Sequence, residues 1–227
     1  MIQEKNGRFR SILTPLELEE MLELEIKSLN ADERLAAQLL FGEMLSTTPT
    51  EFKLLKVFSD SEYKYPPVDI RTFINDPYYL GKTCGGGATY EELIKSMEEL
   101  FAGGYRVALF TGSIGSGKTY SASICISYII YQISCLKDPH RSFGIAPGSD
   151  ISVIALSVTT ALAQEVAFQN IVTKIVSSQY FNENFPVKAL KHEMRFPNNL
   201  TIRPLASTDH SMLGKNVIAV FLDEVTS

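Results

Sequence analysis

Residues 107–119, VALFTGSIGSGKT, constrain this chain more than any other stretch. An apolar run enters Gly112-x-x-x-x-Gly117-Lys118-Thr119 and leaves into an uncharged segment, which predicts a strand, a phosphate-holding turn and a helix in that order. The residue types follow from the chemistry. Glycines let backbone N–H groups converge on phosphate oxygens where a side chain would collide, and the helix that follows aims its positive end at the same anion. In such a turn Lys118 bridges the outer phosphates and the Thr119 hydroxyl faces Mg²⁺. The candidate nucleotide-contacting run is Gly112, Ser113, Ile114, Gly115, Ser116, Gly117, Lys118, Thr119 and Tyr120, with ATP and Mg²⁺ as the expected cofactors.

A second element, VIAVFLDEV, places Asp223 and Glu224 at the end of an apolar run. Acids at the carboxyl end of a buried parallel strand sit where open α/β sheets bind ligands. Asp223 is the candidate metal acid beside Thr119, and Glu224 the candidate catalytic base that orients and deprotonates a water for attack on the γ-phosphate. Asp223 lies 105 residues after Lys118, which leaves room for an extra strand, a helix and a hairpin. That spacing suits a motor ATPase of the additional-strand, catalytic-glutamate class better than a compact GTPase.

The pattern between the motifs alternates: helix from 118 to about 137, strand 151–158, helix from about 161 to 178, strand 217–222, with a hairpin around Pro197-Asn198-Asn199. The fold class is α/β, a P-loop NTPase with a mainly parallel sheet flanked by helices and preceded by a small helical N-terminal region. Two domains are expected. Residues 1–64 are helical and acidic, with capping patterns at Thr14-Pro15-x-Glu17 and Asn30-x-x-Glu33 and a third helix near Thr50. Residues 65–227 carry the two motifs. Gly85-Gly86-Gly87 reads as a flexible link, and Thr89 with Glu92 as the cap of a helix ending at Gly103-Gly104.

Composition narrows the rest. The formal charge of −5 gives no bulk attraction to nucleic acid or anionic membrane, so a DNA contact needs a local basic patch. Lys188, Lys191 and Arg195 are the candidates for one, with a solvated face as the plainer reading. Three cysteines without metal-ligand spacing fit a reducing compartment, and the N-terminus MIQEKNGRFR has no apolar signal core. The uncharged run 120–136 is 17 residues long and carries four serines and a glutamine, which reads as a buried helix, not a membrane span. His140, His192 and His210 lack metal spacing, and Tyr78 and Tyr79 read as packing residues with adenine contact as the alternative.

In order along the chain, FINDPYYLGK, VALFTGSIGSGKT, SCLKDPHRSFGIAPGSDISV, SSQYFNENFP, MRFPNNLTIRPLAS and MLGKNVIAVFLDEV resemble the ATPase half of a tailed-phage terminase large subunit. The resemblance implies an ATP-driven motor that translocates double-stranded DNA into a procapsid. Its expected partners are the portal protein and the small terminase subunit, and its expected assembly a homo-oligomeric ring. Its expected place is the host cell cytoplasm at the procapsid portal, with no membrane involved. By motif match Lys118 and Thr119 are the ATP and Mg²⁺ contacts, Asp223 the metal acid and Glu224 the base. Some terminases carry an arginine inside the phosphate loop, and Ser113, Ile114 and Ser116 cannot replace it. Arg141 is the candidate to supply that charge across a subunit boundary.

Members of this ATPase class place the strand after the glutamate between the phosphate-loop strand and the acid strand, and this sequence ends three residues past Glu224. The expectation is a fragment whose sheet is incomplete at the C-terminus and whose nuclease domain is absent. Two other readings stay open: a non-catalytic nucleotide-binding fragment or half of a split protein, and a helicase-like P-loop ATPase.

Overall fold

The structure, a computed structural model, describes residues 62–103, 105, 107–111, 113, 115–157, 159, 163–206 and 215–223. The three expected N-terminal helices, the boundary at residue 64 as seen from its N-terminal side, and Gly112, Ile114, His210 and Glu224 lie outside the described residues.

Five strands form one sheet in the order β2-β3-β4-β1-β5. They are β1 (Ile151–Ser157), β2 (Lys188–Leu190), β3 (Glu193–Arg195), β4 (Leu200–Ala206) and β5 (Asn216–Leu222). Strand β1 pairs parallel with β4 on one side and with β5 on the other. All seven of its residues are buried, as a near-continuous apolar run between two neighbours requires. The sheet is mixed, not mainly parallel, because β3 pairs antiparallel with both β4 and β2. The expected hairpin is present: Pro197–Asn199 forms a 3₁₀ turn with Asn198 and Asn199 at φ 60° and 54°, a conformation asparagine tolerates better than most residues. Strand β2 was not foreseen, since all three of its residues are exposed and the sequence shows no alternation there.

Residues 107–111 depart further from expectation. They form no strand; Leu109 is 48% exposed. An apolar segment becomes a strand only when a neighbour receives its N–H and C=O groups, and no described strand lies beside this one. Strand β5 is likewise paired on one side alone among the described residues, and several of its apolar side chains are only half-buried.

Helices α1 (Ile70–Asn75), α2 (Gly81–Cys84) and α3 (Glu91–Gly103) precede the phosphate loop, and α4 (Lys118–Ser134) leaves it. Thr89 does not cap α3 by the expected pattern: its hydroxyl donates to the Cys84 carbonyl at 2.9 Å, and α3 begins at Glu91. Helix α4 is buried along most of its length, and three of its four serines, Ser123, Ser127 and Ser134, are accommodated by local bonds, while the buried Ser121 hydroxyl has no partner among the described residues. Ser123 donates to the Tyr120 carbonyl at 2.7 Å and Ser127 to that of Ser123 at 2.8 Å, so these two hydroxyls sit in an apolar setting without losing hydrogen bonds. Among the described residues no helix is long and apolar enough to cross a membrane. After α5 (Pro139–Ser142) and β1, a π-helical turn (Ala163–Phe168) leads into α6 (Gln169–Ser177) and α7 (Gln179–Asn184), and α6 packs on α4. With the π-helical turn packed on β1 and β4, and α4 reaching β5, the core buries Phe168, Ile171, Ile175, Ile124, Val153 and Ile202 together.

The triple glycine is not a plain link. A Cβ on Gly85 would lie 2.7 Å from the Gly81 carbonyl oxygen and 2.9 Å from that of Asn75, backbone atoms that cannot swing aside. Gly85→Ala is therefore expected to lower unfolding stability by about 1–3 kcal/mol in a urea titration. An unchanged midpoint would mean that the α1–α2 turn yields at little cost.

Candidate functional site

The phosphate loop is held by backbone conformation more than by contacts. Gly115 and Gly117 adopt φ 81° and 84°, the left-handed region that only glycine enters without strain. A Cβ on Gly117 would meet only the Leu93 side chain at 3.5 Å, an ordinary contact, so the requirement there is conformational and not steric. Gly117 is also the N-cap of α4, and no side chain caps that end. The positive end of a 17-residue helix dipole therefore points at the loop, where an anion would be favoured.

Two further atoms suit a phosphate. The Lys118 ammonium donates to the Ser113 carbonyl at 2.9 Å, folded over the loop it would bridge when phosphate is present. The Ser116 hydroxyl is buried with no hydrogen-bond partner among the described residues. A buried polar atom without a partner costs free energy, and a phosphate oxygen would satisfy it.

The sheet delivers the acid. β5 runs parallel to β1, and the ladder continues one residue past β5, where the Asp223 N–H donates to the Leu156 carbonyl at 2.9 Å. That bond sets the Asp223 carboxylate at the carboxyl end of the sheet. There the Thr119 hydroxyl donates to Asp223 Oδ1 at 3.0 Å and reaches Oδ2 at 3.3 Å, closing a sequence separation of 104. A hydroxyl and a carboxylate in contact at a phosphate-loop mouth are hard oxygen donors of the kind Mg²⁺ takes, with phosphate oxygens and water completing its shell. The residues present fit that ion. Among the described residues there is no His, Cys, Asp and Glu cluster that would suggest another metal site.

Lys118, Thr119, Asp223, Gly115, Ser116 and Gly117 are thus brought to one place, while Gly112, Ile114 and Glu224 lie outside the described residues. Arg141 is not brought there. It lies on α5, exposed, past the C-terminal end of α4, and α4 spans about 24 Å from the loop at the usual helical rise. Its loop leads to the start of β1, the opposite end of the sheet from Asp223. A role for Arg141 at phosphate would require another subunit. The Leu156 carbonyl, which fixes Asp223, was not legible in the sequence, because a backbone partner carries no residue signature.

The other candidates resolve into structure. Tyr79 lies 5.2 Å from Tyr131 and 5.7 Å from Phe73, and Tyr78 packs edge-on to Tyr180, so both belong to an aromatic cluster. His140 is buried, bonded through Nε2 to the Ser149 backbone oxygen at 2.9 Å, and His192 contacts Gln164. Arg195 and Arg203 both pair with Glu193, and the two guanidinium groups help hold that carboxyl below its usual range against the opposing effect of burial. Lys188 and Lys191 are exposed.

A protein-family model described as "Uncharacterized protein MJ0330, N-terminal P-loop domain" matches residues 18–227. No curated protein and no solved structure matches the chain.

Proposed function

The chain belongs to this family of P-loop domains, and on that premise we propose that it is a Mg²⁺-dependent ATP hydrolase that works as the motor portion of a DNA-translocating machine. The observation that carries the hydrolase reading is the 3.0 Å contact between Thr119 and Asp223, which joins the phosphate loop to the acid strand in one site. A nucleotide-binding fold alone does not demand that contact. In P-loop NTP hydrolases Mg²⁺ is held by the phosphate-loop Ser or Thr and a strand-end Asp, and Thr119 and Asp223 would hold it in that way here.

In this reading the loop N–H groups and the N-terminus of α4 hold the β- and γ-phosphates, and the Lys118 ammonium neutralises charge that grows on them. Mg²⁺, when bound, would supply electrostatic stabilisation of the phosphate oxygens. Glu224 directly follows the acid that faces the metal. It takes the proton of a water aligned with the bond to be broken. The assignment to a terminase large subunit acting on double-stranded DNA, with portal, small subunit and ring partners and Arg141 acting in trans, is supported by the ordered resemblance of six sequence segments.

Glu224→Gln tests both levels. It is expected to leave ATP affinity within about threefold and to lower turnover by about 10²–10⁴. Duplex DNA is expected to stimulate the parent protein and not the variant. Turnover that survives Glu224→Gln would remove the base from Glu224, and turnover indifferent to duplex DNA would remove the motor while leaving the hydrolase.

A further inference from the structure

Lys174 lies on α6, 4% exposed, with its Nζ 4.5 Å from the centre of the Tyr120 ring. Its nearest hydrogen-bond acceptor is the Asn170 carbonyl at 3.5 Å, beyond the usual range for N–H···O, and no carboxylate pairs with it among the described residues. A buried ammonium left this way is costly. Burial accordingly pushes its pKa below the ordinary lysine value. It lines a pocket of about 270 Å³ with Thr83, Tyr120, Gln169, Asn170 and Thr173.

The donors and acceptors of that lining are unequal. The Thr83 and Thr173 hydroxyls donate to backbone carbonyls of Leu80 and Gln169 at 3.1 and 3.0 Å. The Tyr120 hydroxyl is taken by Thr89 at 2.9 Å. Donor capacity remains on the Lys174 ammonium, on the Gln169 amide and on the second N–H of the Asn170 amide, whose first donates to the Val166 carbonyl at 2.8 Å. Among the described residues no acidic side chain lines the pocket. Its size falls below that of ordinary small-molecule sites and suits a group of a few heavy atoms.

We propose that the pocket between α4 and α6, lined by Lys174, Gln169 and Asn170, is a binding site for a small oxyanion such as phosphate or a carboxylate. The anion pairs with the buried ammonium and accepts from the two amides. Because Tyr120 directly follows Thr119 on α4, an occupant braces the helix that carries the phosphate loop.

The test uses the full chain with Lys118→Ala, which weakens phosphate binding at the loop, and titrates inorganic phosphate and, separately, acetate while following thermal unfolding and ³¹P line width. Saturable binding of either anion is expected. Adding Lys174→Met is expected to weaken it about ten- to a hundredfold, while the added methionine retains or raises the melting temperature, because an unpaired buried charge is replaced by an apolar side chain of similar length. Saturation by phosphate alone would identify phosphate as the ligand, and saturation by both would assign carboxylates to the site as well. No saturable binding by the Lys118→Ala protein, or equal binding after Lys174→Met, would overturn the proposal. Since the parent for the comparison already lacks Lys118, a failure here leaves the phosphate-loop reading standing.

Discussion

With alanine in place of Lys118, ATP turnover is expected to fall by about 10²–10³ and ATP affinity to weaken with it. The ammonium sits 2.9 Å from the Ser113 carbonyl, within the loop that phosphate would fill, so its loss removes charge from the mouth of the site and not from the core. Helix α4 is held by its buried face, which runs from Ser121 to Ser134, so the variant is expected to unfold at the same urea concentration as the parent. Steady-state turnover and calorimetric ATP binding measure the two effects. Unchanged binding would mean that the turn before α4 does not hold phosphate.

The second large effect falls on Asp223. Asparagine there keeps an oxygen that can accept the Thr119 hydroxyl, so the fold and the join between loop and sheet persist, while the negative charge toward the metal is gone. Asp223→Asn is expected to weaken the Mg²⁺ requirement site on the order of 10- to 100-fold and to depress turnover at least as much. Calorimetric ATP binding with Mg²⁺ and with EDTA separates the metal's share from that of the loop. A variant that binds ATP equally well in both conditions, and less well than the parent only with Mg²⁺, is the predicted pattern.

Much of this site was legible before any coordinates, for a physical reason. Gly115 and Gly117 stand at positive φ, Lys118 and Thr119 follow on the first turn of a helix, and each of these demands restricts residue identity at a fixed spacing. The same holds for β1, whose burial on both faces shows as a near-continuous apolar run. The pairing of strands is different. Residues 107–111 have the composition of a buried strand, but pairing depends on what lies alongside, and composition does not encode that. Strand β2 joined the sheet with exposed residues for the same reason, since backbone hydrogen bonds and not side chains attach it to β3. Gly85 looked like a linker because a close approach to the Gly81 and Asn75 carbonyls is a tertiary fact. Lys174 carried no signal at all: a lysine on an amphipathic helix usually reaches solvent, and only the packing of α6 on α4 buries this one.

The account stands on Thr119 and Asp223 serving one metal-nucleotide site. The most direct measurement is a double-mutant cycle on the gain in ATP affinity that Mg²⁺ provides, using Thr119→Val, Asp223→Asn and the pair together. The account predicts that each single change removes most of that gain and that the double variant loses little more, a coupling of about 1–3 kcal/mol. Strictly additive losses, or a Mg²⁺ gain that survives both changes, would contradict it.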